Sequence, residues 1–153
     1  MTATQMTRAL AFTTVSLAAL SLAACGKNKA GDGASSSSAA HASGTPQTIA
    51  VLDAWRGAGL APQGFAALNP PPYVATYCER GTVGGVEALV CEYADDGALD
   101  RGQQQLKDEH ERNGVHTGVT VRTRRTLLSI VDREQRDPNG KTINQLVQTF
   151  RKL

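Results

Sequence analysis

Two hydrophobic periods alternate along the chain after residue 47. Ile49, Leu52 and Trp55 recur every three residues, Thr45-Pro46 precedes them, and Gly57 and Gly59 end the run. This predicts a short helix over about 47–57. Residues 60–69 fit neither period, and Pro70-Pro71-Pro72 imposes an extended segment that bars a central strand there. Tyr73–Arg80 and Val86–Ala94 are β-branched and aromatic, with Gly84-Gly85 between them as a two-residue hairpin turn. Asp95-Asp96-Gly97 then opens a second helix, on which Leu99, Gly102, Leu106 and His110 share a face up to the stop at Asn113-Gly114. A second strand pair follows around Arg124-Arg125. Asp137-Pro138 starts a third helix with an Ile143, Leu146, Val147 and Phe150 stripe.

The order is a helix, then ββα, then ββα. It predicts an α+β domain: a four-stranded antiparallel sheet from two ββα units, preceded by a short helix, with the helices on one face. The glycine turn fixes a register in which paired residue numbers sum to 169, so Val83 faces Val86 and Cys78 faces Cys91. That non-hydrogen-bonded position is within disulfide range, and the register was set by the glycines rather than by the cysteines. A turn at Arg124-Arg125 likewise puts Val121 opposite Leu128 and Val119 opposite Ile130, all on one side.

The first apolar run is of another kind. Met1–Arg8 is polar with one positive charge, and residues 9–22 are uncharged and too short to span a bilayer comfortably. They end in Leu22-Ala23-Ala24-Cys25. This stretch resembles the lipobox of bacterial lipoproteins, in which small residues lead into a cysteine. The resemblance implies that residues 1–24 are a lipoprotein signal peptide, that the Cys25 thiol receives diacylglycerol, and that cleavage leaves Cys25 as an acylated (palmitate-type) N-terminus. Two or more chains anchor stably where one binds only marginally. Gly26 after the cysteine, by analogy with enterobacterial sorting, points to the outer membrane facing the periplasm in an organism with two membranes.

Residues 25–47 read as the lipidated cysteine and a Gly/Ser/Ala-rich tether, and 48–153 as a single domain. The tether lacks apolar periodicity and includes Ser35-Ser36-Ser37-Ser38 and an isolated, solvated His41. As a coil it reaches roughly 25 Å. With Cys25 acylated, Cys78 and Cys91 remain an even pair, which in an oxidising compartment predicts one structural disulfide.

The net charge of +2 is uninformative as an average. Arg8, Lys27, Lys29 and Asp32 precede Thr48, so 13 of the 16 basic and 13 of the 14 acidic residues fall in the domain, which is neutral. Nucleic acid is therefore not an expected partner. Within the domain, residues 73–113 carry 4 basic and 9 acidic residues, and residues 114–153 carry 8 and 3. Arg122, Arg124 and Arg125, with Arg133 and Arg136 further along, form a candidate patch for an envelope protein or anionic envelope polymer.

No catalytic motif is present: no Gly-x-Ser-x-Gly elbow, phosphate-binding loop, dinucleotide fingerprint or His-Glu-x-x-His. The spacing of Cys78 and Cys91 is not that of a redox-active pair. Of Glu79, Glu87 and Glu92 on the hairpin, Glu79 and Glu92 share a strand face without being opposite, and no partner acid or base is identifiable for the set. The expectation is a membrane-anchored, non-enzymatic envelope lipoprotein with a small binding domain and no cofactor. The alternative is a small metal-binding or enzymatic periplasmic domain using His110, His116 and the neighbouring Asp108, Glu109 and Glu111.

Overall fold

The computed structural model describes residues 41–115 and 117–153; Cys25, the signal segment, most of the tether and His116 lie outside them. The described chain is α+β, in the order α1 (Thr48–Gly57), β1 (Pro62–Ala67), β2 (Tyr77–Val83), β3 (Val86–Glu92), α2 (Asp96–Arg112), β4 (Gly118–Thr123), β5 (Thr126–Val131) and α3 (Lys141–Phe150). The strands form one antiparallel sheet in the order β1-β2-β3-β5-β4.

Both hairpin registers are as the turns predict. Val83 pairs with Val86 and Cys78 with Cys91, while Val121 pairs with Leu128 and Val119 with Ile130. Gly84 and Gly85 both take positive φ, at 59° and 87°, as a primed turn requires. Arg124 accepts φ 51°, so the second turn also needs only two residues.

Two features of the expected architecture are corrected. The sheet has five strands, not four, because the ambiguous stretch before the prolines supplies β1 at the edge. The signal for it lies in another strand: Gly81 leaves room that a Cβ would take from Phe65, whose Cδ2 it would meet at 2.4 Å. Phe65 fills that space and packs beside Trp55 at 6.0 Å between ring centroids.

The helices also do not share one face. Ala88, Val90, Leu128, Ile130 and Val121 pack with α1 and α3, through Val51, Leu52, Trp55, Leu146, Val147 and Phe150. The alternate residues Leu89, Cys91 and Leu127 pack on the other face with Ala98, Leu99 and Leu106 of α2. Both parities of β3 and β5 are apolar, so each face of the two central strands needs a cover, and one layer of helices would leave one exposed. The two ββα units therefore share an order of elements but not an arrangement.

Local detail follows the same logic. On α1 the buried positions are Thr48, Val51, Leu52 and Trp55, and Ile49 is 52% exposed, so the expected stripe is rotated. Trp55 Nε1 donates to Leu146 O at 3.2 Å and ties α1 to α3. Asp95 caps α2, accepting from Ala98 N at 2.7 Å. Asp137 acts from further ahead of α3 than a cap would, accepting from Ile143 N at 2.8 Å.

Candidate functional site

The Cys78–Cys91 disulfide forms, with both residues fully buried on the α2 face. It joins neighbouring strands beneath α2, where Leu99 and Leu106 exclude water.

The arginines around the second turn separate into different roles. Arg125 is committed to the fold: its guanidinium donates to Ala94 O and Ser43 O, and its backbone N–H to Thr45 Oγ1 at 3.1 Å. Arg122 reaches back to α2 and meets Asp100 at 2.7 Å, a solvent-exposed pair of little energetic weight. Arg124 is exposed at the tip and has no ion-pair partner among the described residues. Arg133 and Arg136 do not join them. They follow the far end of six-residue β5, roughly 20 Å away, and pair with Glu87 and Glu134.

Two basic residues that sequence spacing did not connect to this turn are brought to it. Thr123 Oγ1 donates to Phe150 O at 3.4 Å, so the end of α3 sits beside the end of β4 and carries Arg151 and Lys152 with it. Both are exposed and, among the described residues, neither has an ion-pair partner. No local signal announces this, since about 30 residues intervene.

Beside β4, the sheet is not covered by α2. A groove of 570 Å³ opens there between Gln103, Gln104 and Lys107 on the helix and Thr120 and Arg122 on the strand. Its charges are balanced from within, Arg122 against Asp100 and Lys107 against Glu111 at 3.9 Å. A smaller cavity lies beside Leu106, Glu109 and His110 of α2, where Tyr73 Oη donates to Glu109 at 2.8 Å. Burial, then this bond, raises the Tyr73 phenol to about 12. His110 lines both spaces, and burial is the main cause that lowers its pKa. Asp108 binds Gln104 instead. Among the described residues, no three His, Cys, Asp or Glu side chains gather in a way that would hold a metal ion.

The carboxylates of the first hairpin also part company. Glu79 accepts from Tyr77 Oη at 2.5 Å, and Glu87 pairs with Arg133. Glu92 is fully buried and receives residues 41–48: His41 Nδ1 lies at 2.9 Å, Ala42 N at 3.0 Å and Thr48 N at 2.7 Å. Thr45 Oγ1 meets Thr126 Oγ1 at 2.7 Å, and Thr126 donates to Pro46 O. Residues 41–47, tether-like in composition, thus lie strapped over the ends of β3 and β5. His41 stacks at 4.1 Å on Tyr77.

Compared with protein-family models, curated proteins and solved structures, the chain gives no match. Among the described residues, no helix is long and apolar enough to cross a membrane.

Proposed function

We propose that the chain is a lipid-anchored envelope lipoprotein whose α+β domain is a non-catalytic binding module. The structural observation that carries the compartment is the buried Cys78–Cys91 disulfide, a bond that persists where the surroundings are oxidising. The anchor rests on Leu22-Ala23-Ala24-Cys25 and its resemblance to a lipobox. The lipid membrane is one partner through Cys25, and the other is an acidic envelope protein or anionic polymer met through the exposed cations beside β4. In an organism with two membranes, Gly26 favours the outer one, with the domain in the periplasm.

The decisive experiment is Cys25→Ser. The natural chain should incorporate labelled palmitate and partition into the detergent phase. The serine variant should do neither. A serine variant that stayed in the detergent phase would remove the anchor from this reading.

A further inference from the structure

We infer that the free edge of β4 is a docking strand, which takes an extended, acidic segment of a partner protein by antiparallel strand addition. This rests on the binding-module reading and names its partner's chemistry, but it does not depend on the lipid.

The backbone supplies the first part. Thr117 O accepts from Asp132 N at 3.1 Å, in the same register as the β4–β5 ladder. Antiparallel pairs alternate, so Val119, Val121 and Thr123 bond to β5, while Gly118, Thr120 and Arg122 turn their N–H and C=O groups outward. Such a row is a ready template for another strand. The two sheet edges are not alike. β1 carries Pro62, Gly64 at φ 63° and a register shift between Gln63 and Ala66, devices that blunt an edge. β4 has none of them: its six residues pair with β5 in unbroken register.

The space is also there. Side chains at Thr120 and Arg122 face the α2 side, where the 570 Å³ groove has room for alternate side chains of an added strand. Its walls are charge-balanced, so they do not select a sign.

Charge selects the occupant. Arg124, Arg151 and Lys152 cluster at the Thr123 end of the strand, with no ion-pair partner among the described residues. A second copy pairing antiparallel through the same edge would set this cluster beside the Gly118 end of its neighbour. There Glu87 already pairs with Arg133 and Glu134 with Arg136, so that end offers the cations no free acidic partner. An antiparallel segment with acidic residues near its N-terminal end places them beside this cluster and its remaining side chains along the groove.

The test uses the full chain in detergent and a short fluorescein-labelled peptide. The peptide alternates Val and Thr and carries glutamates at its N-terminal end. Binding should be at least about tenfold tighter than for the same peptide with lysines, and should weaken similarly when alternate peptide amides are N-methylated. Thr120→Pro should weaken it too. Its N–H points away from β5, so proline removes the outward donor without a ladder bond. R124E/R151E/K152E should abolish the preference for glutamate.

No binding, or acidic-peptide binding indifferent to N-methylation, overturns strand addition. A full chain that sediments as a dimer and becomes monomeric with Thr120→Pro assigns the edge to a second copy and overturns the acidic partner. The N-methylated peptide keeps the test valid if the proline variant fails to fold. Failure here leaves the anchor standing, because Cys25→Ser tests that without touching β4.

Discussion

Glu92, at the end of β3, caps α1. One carboxylate oxygen accepts the Thr48 N–H at 2.7 Å and the Thr48 hydroxyl at 3.1 Å, while Gln47, at the cap position itself, makes no side-chain cap. The helix start is thus supplied from 44 residues away. Glu92→Gln weakens charge-assisted bonds and turns an amide donor toward backbone donors. It should cost about 1.5–3 kcal/mol in urea unfolding. A variant as stable as the natural chain would mean the cap carries no weight.

Arg125 and Arg124 are adjacent but should behave differently. Arg125→Ala removes the bonds to Ala94 O and Ser43 O and should cost about 1–2 kcal/mol, with faster proteolysis near residues 41–47. Arg124→Ala touches nothing comparable and should stay within about 0.5 kcal/mol. Equal effects in parallel denaturation curves would refute this division.

Gly102 is required by close packing rather than by backbone freedom. A Cβ there would meet Tyr73 O at 2.4 Å and the Tyr93 ring at 2.5 Å. Gly102→Ala, a good helix former on an α-helix, should nonetheless destabilise by about 1–3 kcal/mol. A rise in melting temperature would show that α2 shifts freely.

Removing the Cys78–Cys91 cross-link by a double alanine substitution frees a short loop in the unfolded chain. The expected loss is roughly 3 kcal/mol. Comparison of urea midpoints for the natural and doubly substituted chains measures it directly.

His110 gives the domain a dependence on mild acid. Burial lowers its folded pKa from 6.5, with Glu109 opposing and Arg133 adding to the shift. The unfolded chain therefore binds more protons between 6.5 and the lower folded value, so this contribution to stability is present above that window and is lost as pH falls through it. His110→Gln should flatten the stability profile across mildly acidic pH. A histidine titrating at 6.5 or above by NMR would contradict it.

Much of the fold is legible from short-range chemistry. Gly84-Gly85 sets one register and with it the cysteine pair; Asp95 starts α2; the 146, 147 and 150 positions of α3 mark its buried face. These depend on neighbours a few residues apart, where backbone sterics and periodicity leave few alternatives. The run Ala88-Leu89-Val90-Cys91 also held the information that both sheet faces are covered, since neither parity is polar.

The candidate site was less legible. The hairpin arginines were identifiable as a group, but their roles depend on Asp100, Ala94 and Ser43, which reach them from other elements.

What the sequence alone determined is the strand pairs of the two hairpins, the disulfide register and the α+β class, all written in contiguous stretches. Only the tertiary structure decided that β1 completes the sheet, that α2 crosses to the other face, that residues 41–47 fold back onto Glu92, and that Arg151 and Lys152 come to lie beside Arg124. The physical reason is distance along the chain. Burial of an apolar face can be satisfied by any suitable cover, and which segment supplies it is settled only when all of them compete for the same surface.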